Sequence, residues 1–160
     1  MTSVAAALSV VATGVNPLEK ATSASIDAAR LAVIPTVETG SAKTILICED
    51  DQNLRQLVRA VLGDGYRFLE AQDGDEAVAL ALRNRPDLII LDLMMPGRSG
   101  LDVLNNLREE LPSQETRVIV MSAWGHADAA ALNAGADRFV PKPFEADELT
   151  AIVKDVLQVA

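Results

Sequence analysis

Residues 88–100 read LIILDLMMPGRSG, and the reading of this stretch decides the fold. Leu88, Ile89, Ile90 and Leu91 make an unbroken apolar run of branched side chains, the pattern of a strand buried on both faces at the centre of a parallel sheet. The run stops at one carboxylate, Asp92, and a Pro96–Gly97 turn follows. A parallel strand delivers its last residue to the carboxyl edge of the sheet, where open α/β sheets bind their ligands. Function then depends on which other side chains reach that edge.

Working outward, short apolar runs alternate with amphipathic segments. Upstream, Thr44–Cys48 reads as the first strand, and the helix after it carries Leu54, Leu57, Val58, Val61 and Leu62 on one stripe, closed by Gly63-Asp64-Gly65. Residues 66–71 read as the second strand. Asp73 is placed to cap a helix running to Arg85, with Ala77, Val78, Ala81 and Leu82 facing inward and Pro86 stopping it. Downstream of Asp92, Ser99 is a candidate cap for a helix bearing Leu101, Leu104, Leu107 and Leu111, ended by Pro112. Residues 117–121 read as the fourth strand. An alanine-rich helix over 127–134, with Leu132 as its only large apolar side chain, ends at Gly135. Residues 138–140 read as the fifth strand, Pro-Lys-Pro-Phe as a stiff turn, and the last helix shows Leu149, Ile152, Val153, Val156 and Leu157 on one stripe. Strands and helices alternating at this spacing imply right-handed crossovers, hence a three-layer α/β fold with a doubly wound, five-stranded parallel sheet.

Ahead of Lys43 the pattern differs. Asn16-Pro17-Leu18-Glu19 has the order of a helix start, and a helix over 17–34, poor in large apolar residues and ended by Pro35, is expected there. Residues 36–42 have linker composition, which divides the chain into an N-terminal extension, 1–42, and one domain, 43–160. Residues 1–15 are apolar but have no basic residue before the run and are too short to cross a bilayer, so no membrane association is expected.

Bulk composition narrows the classes further. The chain has 160 residues with 14 basic and 23 acidic side chains, a formal charge of -9, the wrong sign for nucleic acid or anionic lipid. Its one cysteine, Cys48, sits in an apolar run and reads as a buried thiol, which suits a cytoplasmic protein.

In that topology the residues following each strand meet at one edge. The first strand brings Glu49, Asp50 and Asp51; the third brings Asp92, the fourth Ser122 and the fifth Lys142. Converging carboxylates repel unless a cation joins them, and oxygen-only ligands select a hard ion such as Mg2+. Asp50, Asp92 and a backbone carbonyl near Met94 are its candidate ligands, with Lys142 balancing charge. Taken alone, Asp50 or Asp51 could simply cap the first helix, and Lys142 and Ser122 could be solvated loop groups. Together they suit phosphoryl transfer to a carboxylate: metal and lysine neutralise the equatorial oxygens and a hydroxyl donates to one of them.

With these residues in view, the sequence resembles the receiver domains of two-component response regulators. ILICEDD matches the family's acidic-pair motif, LIILDLMMPGRSG its phosphoacceptor segment, VIVMSA its hydroxyl-bearing strand end and FVPKPF its lysine turn. The resemblance spans Lys43 to the C-terminus. It implies a flavodoxin-like (βα)5 fold, Asp92 as phosphoacceptor, Asp50 as direct metal ligand, Glu49 as a water-mediated one, Met94 as carbonyl donor, Ser122 as switch hydroxyl and Lys142 as the cation on the phosphate. Phe139 falls at the aromatic switch position, where it lacks a phenolic hydroxyl and can move only by packing. A cis Lys142–Pro143 bond is also implied.

The same resemblance implies a phosphorelay role rather than an ordinary enzyme: the domain catalyses its own phosphorylation and dephosphorylation. Its phosphate comes from a sensor histidine kinase or a histidine phosphotransfer protein and its signal goes to a downstream protein target. His126, expected at the surface, has no helical-bundle context to serve as donor. With no output module expected after the last helix, the signal is expected to leave through protein contacts or residues 1–42.

Two departures stand out. The interval from Ser122 to Lys142 is about two residues shorter than the family's usual one, which unsettles family-standard homodimerisation through the fourth-helix face. Trp124 and Met94 also stand where they are expected to shield an aspartyl phosphate from water. Two other readings are weaker. A dehalogenase-type phosphohydrolase needs a second acid where Met94 stands, and a phosphate-independent scaffold has no need of the intact site.

Overall fold

The structure, a computed structural model, describes residues 42–111 and 115–158. The helix expected over 17–34, the linker ahead of Lys43 and the stop at Pro112 lie outside the described residues. Five parallel strands form one sheet: β1 (Thr44–Cys48), β2 (Arg67–Ala71), β3 (Leu88–Asp92), β4 (Arg117–Ser122) and β5 (Arg138–Pro141), in the order β2-β1-β3-β4-β5. Between and after them run α1 (Gln52–Leu62), α2 (Gly74–Asn84), α3 (Gly100–Glu110), α4 (Asp128–Asn133) and α5 (Ala146–Gln158). This is the flavodoxin-like doubly wound arrangement. The order reverses between β1 and β3, and the crevice at their carboxyl ends is the topological switch point.

β3 is central and every residue of it is buried. Its alternate side chains feed two cores. Leu88 and Ile90 pack with Val58 and Leu62 of α1 and Leu149, Val153 and Val156 of α5. Ile89 and Leu91 pack with Ala77 and Ala81 of α2, Val103, Leu104 and Leu107 of α3, and Ala131 of α4. The period-2 alternation of a strand thus serves both covering layers at once.

Several local expectations need correction. β2 starts at Arg67, after Tyr66. Ser99 precedes α3 but makes no side-chain cap bond. Leu57 and Leu82 face outward, because the inward arc of each short helix is narrower than its apolar stripe; Leu57 is half exposed, and Leu80 packs on the core while Leu82 does not. Leu132 is 48% exposed and does not anchor α4. Ala127 and Ala131, both fully buried, do so.

Polar clamps close the amino edge of the sheet. Asp87 accepts from Lys43 Nζ at 2.7 Å and from the Thr44 amide at 2.8 Å. Asp137 accepts from Arg108, Arg117 and the Val118 amide. Arg108 also donates to the carbonyls of Gly135 and Thr116, both at 2.7 Å, so one guanidinium of α3 grips the residue that ends α4. Gly135 has φ +101°, a value only glycine adopts freely. Among the described residues no helix is long and apolar enough to cross a membrane.

Candidate functional site

The loop after β1 sorts its three acids by task. Asp51 is the N-cap of α1, its side chain accepting from the Asn53 amide at 2.8 Å. Glu49 points inward and is 2% exposed. Asp50 is left exposed at the mouth of the crevice, without the capping role that the sequence left open for it. One carboxylate oxygen from each of Glu49, Asp50 and Asp92 lies within 4.8 Å of the others.

Asp92 ends β3 and is 3% exposed. Its Oδ1 accepts from the Met94 amide at 3.0 Å and its Oδ2 from Lys142 Nζ at 2.7 Å. The same ammonium donates to Glu49 Oε2 at 2.6 Å. Lys142 is brought there by the turn after β5, whose Lys142–Pro143 bond is cis, as the resemblance implies.

The electrostatics follow from this bridge. For Glu49, burial is the largest influence and holds its carboxyl above the usual range, although the hydrogen bond and charge of Lys142 pull the other way. For Lys142, burial opposes the charge, but the hydrogen bonds to Asp92 and Glu49 together outweigh it and lift the ammonium above the ordinary lysine value. The lysine therefore stays charged between two buried acids. Just before this loop, burial pushes the Cys48 thiol up, so it is an inert part of the core.

Ser122 ends β4, is 1% exposed, and its Oγ accepts from the Trp124 amide at 3.1 Å. Among the described residues no acceptor takes its hydroxyl proton. Trp124 and Met94, 55% and 62% exposed, line a cleft of about 430 Å³ with Ala123. Phe139 is half-buried against the α2–α3–α4 core, and His126 is exposed.

Sequence reading missed one group here. Arg55 donates from Nη1 to the Glu49 carbonyl at 2.6 Å and the Asp50 carbonyl at 3.2 Å, and from Nε to Glu70 at 3.0 Å. Its signal was present: an arginine four residues after Asp51, a spacing that folds back over the start of its own helix.

The fold has counterparts among known proteins. The response regulator receiver domain pattern matches residues 45–154. A probable transcriptional regulatory protein of Mycobacterium tuberculosis, TcrX, is 36% identical over 120 residues, 74% of this chain and 51% of that protein. The phosphate regulon transcriptional regulatory protein PhoB of Pseudomonas aeruginosa is 37% identical over 119 residues, 72% of this chain and 52% of that protein. The chain thus spans about half the length of these curated relatives. Among solved structures, the receiver domain of the Francisella response regulator 1452 superposes with a TM-score of 0.67 at 31% identity, covering 73% of this chain and 98% of that one.

Proposed function

The chain belongs to the response regulator receiver domain family, and from that premise we propose that it is the phospho-accepting switch of a two-component phosphorelay. The observation that carries this reading is the single ammonium of Lys142 bridging Asp92 and Glu49 at 2.7 and 2.6 Å, with Asp50 exposed beside them. Two buried acids around one cation leave negative charge in excess, and every donor is oxygen, so the set fits a hard divalent ion. Asp50 and Asp92 would hold Mg2+ directly, Glu49 through water, and the Met94 backbone carbonyl would add to the set. When bound, Mg2+ neutralises charge on the phosphoryl oxygens.

Asp92 is the nucleophile. Its carboxylate oxygen forms the new P–O bond as the P–N bond of a partner's phosphohistidine breaks, the electron pair leaving with the imidazole. Lys142 holds its charge against the phosphoryl oxygens throughout. Ser122 donates its free hydroxyl proton to one of them, letting go of the Trp124 amide, and Phe139 follows into the space by packing. The domain thus promotes its own phosphorylation and, with water as acceptor, its own dephosphorylation.

The donor is a sensor histidine kinase or histidine phosphotransfer protein, and the output is a change in contacts with a downstream protein. Residues 43–160 make the switch and residues 1–42 an extension that can carry its signal, in the cytoplasm. The test is incubation with Mg2+ and an acyl phosphate, followed by intact mass. One added phosphoryl group is expected, removed by Asp92→Asn; incorporation that survives Asp92→Asn, or none from small donor and kinases alike, overturns the reading.

A further inference from the structure

The main chain of the loop that carries the acid pair is gripped from behind by a side chain one helical turn away. The three successive carbonyls of the loop all accept from Arg55: Glu49 at 2.6 Å and Asp50 at 3.2 Å from Nη1, and Asp51 at 3.0 Å from the backbone amide. The Arg55 side chain is only 12% exposed. Its Nε is fixed by Glu70, which lies in β2 opposite Ile47 of β1 and takes Arg59 on its second oxygen at 2.8 Å. The two arginines together hold the Glu70 carboxyl below the usual range despite its partial burial. The restraint therefore runs from the sheet, through Glu70, to the main chain behind the acids.

Asp50 has most need of such a restraint. Asp51 is engaged at the helix cap and Glu49 by Lys142 and the Asp51 amide at 3.2 Å. Asp50 is exposed, and like-charge repulsion from the two buried acids within 4.8 Å favours its turning out to solvent. Fixing the peptide units on either side of Asp50 limits that turn without neutralising the ligand.

Resting on the reading of these acids as metal ligands, we propose that Arg55 is a positioning residue for the metal loop, holding the Glu49–Asp51 backbone so that Asp50 meets a divalent cation in register with Glu49 and Asp92. Only a planar fork can serve Glu70 and two carbonyls at once; a lysine has one ammonium and no such fork. Groups that orient metal ligands from behind set affinity by about 10–100-fold when removed.

The experiment titrates the full chain with Mg2+ by calorimetry, with circular dichroism confirming that each variant is folded at the working temperature. Arg55→Gln is expected to weaken Mg2+ binding by about tenfold and Arg55→Lys by less. At saturating Mg2+ the rate of phosphorylation by an acyl phosphate is expected to approach that of the parent, a split that a general loss of stability would not produce. Folded Arg55→Gln binding Mg2+ within about twofold of the parent overturns the role of Arg55. Should Arg55→Gln not fold, Arg55→Lys is read in its place, and parent-like affinity there overturns it equally. Asp50→Asn separates the premise: if it binds Mg2+ like the parent, the metal reading fails, whereas loss there with none at Arg55 sinks only this inference.

Discussion

Gly100→Ala, run beside Gly74→Ala, tests whether the loop after β3 is packed as tightly as the structure places it. Each glycine is the first residue of its helix, so the intrinsic gain of alanine over glycine, up to about 1 kcal/mol, is shared and cancels in the comparison. What differs is the obstacle. A Cβ on Gly100 would sit 2.4 Å from the Leu93 Cα and 2.9 Å from its carbonyl oxygen, against ordinary carbon contacts of about 3.5–4.0 Å. Backbone cannot turn aside, so the end of α3 must retreat by about 1 Å, loosening the fully buried Val103 and Leu104. Overpacking of this kind costs about 2–3 kcal/mol, leaving a net loss of about 1–2 kcal/mol after the helix gain. On Gly74 the nearest atoms are the Val103 Cγ2 methyl at 2.7 Å and the Arg98 Cβ at 3.2 Å, side-chain atoms that give way more cheaply than backbone, so an off-rotamer shift of about 0.5–1.5 kcal/mol roughly offsets the helix gain. In urea denaturation, Gly100→Ala should lower the midpoint by about 1 M with an unchanged slope, and Gly74→Ala should leave it in place. Leu93 lies between Asp92 and Met94, so Gly100→Ala should also raise the Mg2+ needed for half-maximal phosphorylation. A Gly100→Ala midpoint equal to the parent's, or one above that of Gly74→Ala, would refute the reasoning.

Trp124→Ala is expected to shorten the lifetime of the aspartyl phosphate, since Trp124 and Met94, two residues beyond Ser122 and Asp92, line one cleft together; decay followed by loss of phosphoryl mass checks this, and an unchanged lifetime refutes it. Burial works to raise the Asp87 pKa, but the Lys43 ammonium and the Thr44 amide outweigh it and hold the carboxyl below its ordinary value. Its contribution to stability is therefore present above the unfolded value, about 3.9, and is lost as pH falls through the lower folded one, so Asp87→Asn should flatten the fall in urea midpoint below about pH 4. Leu132→Ala should change stability by less than about 0.5 kcal/mol because the side chain is half exposed, whereas Ala131→Leu should cost about 1–3 kcal/mol by overpacking; the reverse ranking would show that α4 sits otherwise.

The parts of this molecule legible in its sequence are those where one constraint dominates. LIILD, rich in branched side chains, reads as a strand buried on both sides, and strand ends in a parallel sheet share an edge, so Asp92, Glu49, Ser122 and Lys142 could be assembled before any coordinates. Choices that depend on relative placement were less legible. Asp50 and Asp51 are chemically alike, and the direction of the chain entering α1 decides which one caps. Leu57 and Leu82 lie on apolar stripes, but the width of the buried arc depends on how each helix crosses the sheet. The hold of the Arg55 side chain on two carbonyls depends on backbone direction and a rotamer, which residue spacing only hints at. At α4 composition alone did not say which side chains face the core: Ala127 and Ala131 do, and the larger Leu132 falls on the outer side of the six-residue helix.

The grip of Arg108 on Gly135 has a mechanical consequence. It lies at the amino edge of the sheet, where α4 ends, while the loop from Ser122 to Ala127 at the other end of that helix adjoins the site. Besides that charge-assisted bond, the buried methyls of Ala127 and Ala131 seat the inner face of α4, so the added hold falls on its carboxyl end alone. Six residues span about 9 Å, so a tilt of about 10° about Gly135 would carry the amino end roughly 1.5 Å, against the seat of Ala127, and the carboxyl end hardly at all. Displacement started near Ser122 would therefore be largest at the amino end of α4 and fade along the helix.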